Sequence, residues 1–519
     1  MGIAAGAGEG VGAAANAGAA GAAKATMSAS RTRLLMSRPV LGAVVLIGIM
    51  SLLRAYAAFN FPLTADETYY WSWSLHPAFG YTDHPPMVAW LITAGNWLGH
   101  SFGLVRLPFV IAEAVAAIAV GMAAAIIAGN ARAGAFAAVV LTLIPQTKLE
   151  FAECIPDGAY VLSWSLAVWA AAALARRVSP QAIVALGFAL AATVYSRTFG
   201  WALVFGVFAW ALTARRDLLR PVAAACAIAV VAYIPFLAWN ASVGWETFAF
   251  EFVHRQSMTT FSIVKLVNID TVRFLFFGGL IVVLTWLLAL RRSPRLSLVA
   301  WTALPLPIAL FLFSFAMKTE SYWILGPAAS LSIACGIRLA QAGAVWRRVT
   351  FAVLGISTAY ATATAVFLAL PERAQAAAFS AQPSLRSQFS SGVYAYRPLA
   401  DDLRADAASG ITIYTDRYET SAELLWYGIP SDIVVHTGQL PQWMRWYRPA
   451  EVPQHADLVT FRTPFGDALG LEQSVRAAYV HVGTPKILDY RYAGEPEGTF
   501  YVTRLDDPRP DARNVLPGL

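Results

Sequence analysis

The strongest constraint on how this chain can fold is the recurrence of apolar runs close to the length that crosses a bilayer. They lie near 39–59, 104–128, 132–149, 157–175, 181–196, 198–214, 220–239, 272–290, 297–316, 321–340 and 348–369. A membrane-spanning helix needs about 17 to 25 mostly apolar residues. Several runs are slightly short, which puts the count at about eleven. Basic residues mark alternate connections: Arg31, Arg33 and Arg38 before the first run, then Arg132, Arg176–Arg177, Arg215–Arg216–Arg220, Arg291–Arg292–Arg295 and Arg347–Arg348. By the positive-inside bias these connections face the cytoplasm. Those at 60–103, 150–156, 197, 241–271 and 317–320 then face outward.

Composition agrees. A soluble protein carries about a quarter charged residues; this chain carries 13%, with 58% hydrophobic residues. The net charge of +7 lies in the short clusters between apolar runs, which argues for membrane orientation and against nucleic-acid binding. Cys154, Cys226 and Cys335 have no metal-like spacing, and neither a disulfide framework nor a thiolate zinc site is indicated.

Residues 1–38 form the N-terminal segment. Its first thirty are low-complexity Ala and Gly, and Met27 is the expected start of translation, with the first apolar run as a retained signal anchor. Residues 39–370 hold the apolar runs. Beyond them, 371–519 alternates β-prone stretches (ITIYTD, DIVVHTG, LVTF, TFYVTRL) with helix-like ones (TSAELLWYG, LEQSVRAAY). The expected fold is a polytopic α-helical membrane protein with a C-terminal soluble α/β domain. An odd number of spans from a cytoplasmic N-terminus places that domain outside, in the periplasm of a Gram-negative host.

The outward connections hold polar residues that spacers do not need. The first, TADETYYWSWSLHPAFGYTDHPPMVAW, carries Asp66, Glu67, Asp83 and His84 among aromatics expected to lie in the bilayer interface. The next holds Lys148, Glu150, Glu153 and Asp157. Arg197 follows in YSRTFGW. Asn240, Glu246, Glu251, His254 and Arg255 share the fourth outward loop, and Lys318, Glu320 and Tyr322 the fifth. Ionisable residues at a membrane are costly and mark function. Blander roles stand beside this one: Arg197 suits a snorkelling side chain, Asp157 a helix cap, and His254 an ordinary surface histidine. A divalent metal held by Asp83 and His254 is the minority reading. The Asp66–Glu67 pair resists a bland reading, because nothing near it in sequence neutralises it.

The DETYY segment with the downstream DHPP, the Pro156–Asp157 turn, YSRTFGW, the loop IPFLAWNASVGWETFAFEFVHR, KTESYW and TDRYETSAELLWYG (415–428) together closely resemble glycosyltransferase family 39. These are membrane enzymes of the GT-C fold that include protein O-mannosyltransferases and lipid A aminoarabinose transferases. The resemblance implies inverting transfer from a polyprenyl-phosphate sugar to an acceptor hydroxyl on a lipid, glycan or protein at the outer face of the inner membrane. It also implies Asp66 as catalytic base with Glu67 beside it, Asp83 at the second acidic position, and His84, Arg197, Arg255, Lys318 and Tyr322 around the phosphate. Asp157, Asn240 and His254 would support them. Aminoarabinose transferases carry Glu-Lys before the two prolines, where this chain has Asp83–His84, a departure that weighs against carrying over a phosphate-binding lysine.

The chemistry suits such residues. A sugar phosphate already has a good leaving group, so the site needs one base for the acceptor proton and cations for the charge growing on phosphate. The rival class is a transporter or flippase of a lipid-linked or anionic substrate. Transporters keep ionisable groups near the midplane and often show repeated halves; here the polar residues gather at one face and no repeat is evident.

Overall fold

The computed structural model describes residues 37–144, 153–253, 296–313, 321–381, 392–435, 439–447 and 450–516. Helices Arg38–Asn60, Phe102–Ala128, Ala131–Leu143, Pro156–Arg176, Pro180–Ser196, Trp201–Ala214, Leu219–Ser242, Leu325–Gln341 and Ala344–Leu368 coincide with nine of the expected runs. The run at 297–316 becomes two short helices, Ser297–Ala303 and Pro305–Phe313, and that at 272–290 lies outside the described residues. Six of the described helices, two of them extended by an adjoining short turn, are long and apolar enough to cross a membrane; the others are shorter. The chain also forms a short apolar helix inside the first long connection, Met87–Asn96, which the spacing of apolar runs does not anticipate.

Local sequence explains the tight turns. Gly129 ends one helix in the left-handed region at φ 64°, and the Asn130 side chain accepts from the Arg132 amide to start the next. Ser179 caps the helix that begins with Pro180. The bundle core is rich in alanine, with Ala116, Ala124, Ala133, Ala137, Ala167 and Ala171 packed around Val120, Val140 and Trp164. Small residues let helix backbones approach closely where no hydrophobic drive separates protein from lipid. Leu325–Gln341 runs through the centre of the bundle, whereas Leu41, Val44, Ile49 and Leu52 of the first helix face outward as lipid-contacting residues do.

Residues 392–516 build a mixed sheet of β1 (Thr412–Thr415), β2 (Ser431–Ile433), β3 (His455–Phe461), β4 (Tyr479–Val482), β5 (Lys486–Tyr492) and β6 (Glu495–Pro508). The order is β2-β1-β3-β6-β4, with β5 also on β6; β1 is parallel to β2 and β3, and β6 is antiparallel to its partners. The expected β-prone and helix-like stretches fall on these strands and on helices Tyr418–Trp426 and Leu471–Ala478.

A separate core joins the two parts. Tyr69, Trp71, Trp73 and Tyr81 of the first long connection pack with Ala422, Trp426, Ile433, Leu440 and Trp443 of the C-terminal domain. The expectation that this aromatic run lies in the bilayer interface is therefore corrected. Only Phe79 and Trp90 stay well exposed, and the rest are buried because the sheet domain offers a protein surface to cover them. Gly80 is part of this fit, since a Cβ there would run into the Trp239 ring.

Candidate active site

The acidic pair opens a helix and its two members part company. Thr64 caps helix Ala65–Ser74, with Glu67 at the third position completing a capping box. Successive residues at the start of a helix point about 100° apart, so Asp66 and Glu67 face different surroundings. Glu67 is fully buried. Its Oε1 accepts from Arg106 Nε at 2.7 Å and from the Cys154 amide at 2.9 Å; its Oε2 accepts from Arg106 Nη2 at 2.5 Å and from the Thr64 amide at 2.9 Å. Arg106 spends its other protons on the carbonyls of Ala58, Phe61 and Pro62. Burial acts to push the Glu67 carboxyl up, but the Arg106 guanidinium and these hydrogen bonds outweigh it and hold the carboxyl below the usual glutamate value. Glu67, expected beside the base, is thus held in a buried ion pair with Arg106 and does not line the cavity beside it.

Asp66 faces that cavity, which measures about 130 Å³. Its lining includes Tyr70, Asp83, His84, Asp157, Arg197, Tyr322, Tyr418 and Gln439. Five stretches of the membrane part and two of the sheet domain thus meet at one point. Arg197 sits where the chain breaks between two helices in extended backbone (φ −152°, ψ 144°). Its Nη2 donates to Asp157 Oδ2 at 2.7 Å, and its guanidinium lies 5.2 Å from the centroid of the Tyr322 ring. Arg197 Nε and Asp157 Oδ1 are buried yet have no hydrogen-bond partner among the described residues. Buried polar groups are normally matched, so an unmatched guanidinium N–H at a cavity wall suits an anionic ligand. Asp157 lies in the first turn of its helix but pairs with Arg197 instead of capping.

The second acid is held from above. Asp83 Oδ1 accepts from the Tyr69 hydroxyl at 3.4 Å and its Oδ2 from Gln439 Nε2 at 3.3 Å. His84 Nδ1 stands 3.3 Å from Glu251 Oε1. Asn240 does not reach the cavity. Its amide exchanges hydrogen bonds with Thr247, whose hydroxyl donates to the Tyr81 carbonyl, bracing the first long connection against the fourth outward loop. His254, Arg255 and Lys318 lie outside the described residues, and with them the Asp83–His254 metal pairing. Among the described residues no group of three or more His, Cys, Asp or Glu side chains is placed to hold a metal.

Sequence reasoning named Asp66, Asp83, His84, Asp157, Arg197 and Tyr322, and the structure brings all six to one cavity. It quoted Tyr70 only as part of the DETYY segment and gave it no role; it missed Gln439, which carries no signal outside a tertiary contact, and Arg106. A lone arginine in the otherwise apolar stretch FGLVRLPFV was a legible sign of a buried partner.

The fold and cavity define a class: a polytopic helical membrane protein of the GT-C type with a C-terminal mixed α/β domain. A crystal structure of ArnT from Cupriavidus metallidurans in the apo state has the same fold, with a TM-score of 0.59 at 15% identity over 89% of this chain and 98% of that one. The archaeal oligosaccharyltransferase AglB from Archaeoglobus fulgidus, in complex with an inhibitory peptide and a dolichol-phosphate, aligns at a TM-score of 0.49 and 11% identity, covering 80% of this chain and 69% of that one. No curated protein sequence matches the chain. Residues 83–239, starting at Asp83 of the DHPP motif, match the family model described as dolichyl-phosphate-mannose-protein mannosyltransferase. Over those residues the chain is similar to this family of membrane glycosyltransferases, which use a lipid-phosphate sugar donor.

Proposed function

We propose that the protein transfers a sugar, with inversion, from a polyprenyl-phosphate carrier to an acceptor hydroxyl at the outer face of a bacterial inner membrane. The observation that carries this reading is the pairing, in one cavity, of the Asp66 carboxylate with a buried guanidinium whose Nε–H is unmatched among the described residues. Asp66 takes the proton of the acceptor hydroxyl as its oxygen attacks the anomeric carbon. The bond from that carbon to the phosphate oxygen breaks, and its electron pair leaves with the carrier phosphate. Arg197 faces the charge that grows there, with Tyr322 packed on its guanidinium. Asp157 keeps Arg197 aimed; Asp83, held by Tyr69 and Gln439, and His84, held by Glu251, shape the wall opposite. Arg255 and Lys318, outside the described residues, are assigned to the phosphate by the family resemblance alone.

Because an odd number of spans follows a cytoplasmic N-terminus, cavity and sheet domain both fall on the outer side. The test is mass spectrometry of the polyprenyl-phosphate-sugar pool in a deletion strain, complemented with the wild-type chain or Asp66→Asn. One glycosylated carrier should accumulate in the deletion, clear with wild type and persist with Asp66→Asn. A pool identical in all strains overturns the reading.

A further inference from the structure

A second cavity, of about 560 Å³, adjoins the first and shares Asp66 with it. It lies between the start of helix Ala65–Ser74 and the sheet domain. Its walls carry four carboxylates, Asp66, Glu153, Glu419 and Glu497, but a single guanidinium, Arg462. Tyr396 and Phe461 supply aromatic surface, and Arg462, at φ 68°, is folded back with its guanidinium 4.9 Å from the Phe461 ring centroid.

Glu497 is the telling member. It is 92% buried, and its Oε2 has no hydrogen-bond partner among the described residues. A buried carboxylate oxygen left unmatched is costly, and at a cavity wall a ligand that supplies the donor offsets that cost. The backbone amides of Gly392 and Tyr394 bond to this carboxylate, which fixes its place at the wall. Carboxylates beside aromatic rings are the groups that bind a saccharide: the acids accept from its hydroxyls, and the rings cover its C–H faces. The excess of negative charge repels phosphate.

We infer that this second cavity is the acceptor site and that it takes the uncharged, hydroxyl-rich end of a glycan, delivering one hydroxyl to Asp66. The inference rests on the transferase reading above and names its acceptor class. Donor and acceptor then approach Asp66 from two cavities, with the phosphate on the Arg197 side and the glycan on the Glu497 side. Burial pushes the Glu497 carboxyl up to about 7, so near neutral pH it can either accept from or donate to a sugar hydroxyl.

The test uses the full chain in lipid nanodiscs. Saturation-transfer-difference NMR measures binding of neutral oligosaccharides ending in glucose, mannose, galactose or N-acetylglucosamine, of their terminally phosphorylated forms, and of a Ser/Thr-rich peptide. At least one neutral sugar should bind, with its phosphorylated form at least tenfold weaker. Glu497→Ala should weaken the neutral sugar at least tenfold. Glu497→Gln, which preserves shape and serves as the folding control, should narrow the gap to the phosphorylated form. Dolichyl phosphate, titrated into the same samples, should bind wild type and both Glu497 variants alike and bind Arg197→Lys more weakly. If dolichyl phosphate behaves so but no neutral sugar binds, the phosphorylated forms or the peptide bind better, or Glu497→Ala has no effect, the acceptor assignment falls and the transferase reading stands. If dolichyl phosphate binding ignores Arg197, the donor site itself is misplaced.

Discussion

Arg106 and Glu67 form a fully buried ion pair in which both nitrogens on one edge of the guanidinium meet both carboxylate oxygens, at 2.7 and 2.5 Å. The pair joins the end of the first helix, the start of the loop helix, the second long helix and the Cys154 segment. Asp66 lines the cavity while its neighbour is turned into this pair, so the two acids of one motif face different surroundings.

Removing one partner of such a pair leaves a buried charge alone. Glu67→Ala should cost about 3–5 kcal/mol of stability, seen as a lowered thermal midpoint in detergent, whereas Glu67→Gln should cost less. The sign with pH follows from the depressed carboxyl. Its stabilising contribution is complete above the ordinary value of 4.5 and is lost as pH falls through the lower folded value. Glu67→Gln should flatten that acid limb of the melting profile.

Asp66→Asn keeps size and helix position but cannot take a proton. Turnover should fall by about 100- to 10,000-fold, with the thermal midpoint and donor binding unchanged. Near-normal turnover in a purified assay would remove Asp66 from the base role.

Arg197→Lys preserves the charge opposite Asp157 and loses the planar set of N–H donors. Charged hydrogen bonds contribute about 1.5–3 kcal/mol, so the donor KM should rise about 10- to 100-fold. An unchanged donor KM would show that the phosphate lies elsewhere.

Trp426 anchors the sheet domain, with ring centroids 4.8 Å from Trp71, 4.0 Å from His100 and 5.7 Å from Phe102. Trp426→Ala should cost about 3–5 kcal/mol and expose the junction to limited proteolysis. Resistance equal to wild type would mean the domain is held by other contacts.

On β2, burial pushes the Asp432 carboxyl up to about 7. A raised acid favours the folded state most below its ordinary value of 3.8, and that contribution is lost as pH rises to about 7. Asp432→Asn should therefore melt higher than wild type at pH 8, with the gain shrinking toward pH 4. A pH-independent difference would refute the cause.

The sequence by itself determined the apolar helices, the sheet domain after them and the gathering of polar residues in alternate connections. Those features depend on local periodicity and on the cost of charge at a membrane, which short stretches of chain already express. It also carried Asp66, Asp83, Asp157, Arg197 and Tyr322, because a charged or hydroxyl group beside an apolar run is visible without neighbours. Tertiary structure alone decided which acid of the pair lines the cavity. Glu67 meets Arg106 from 39 residues away, and Asp83 meets Gln439 from 356 residues away. The aromatic run was likewise legible as apolar, but only docking of the sheet domain decided that protein and not lipid covers it. Burial, ion pairing and cavity walls arise from contacts distant in sequence, and no local pattern encodes which side chain will arrive.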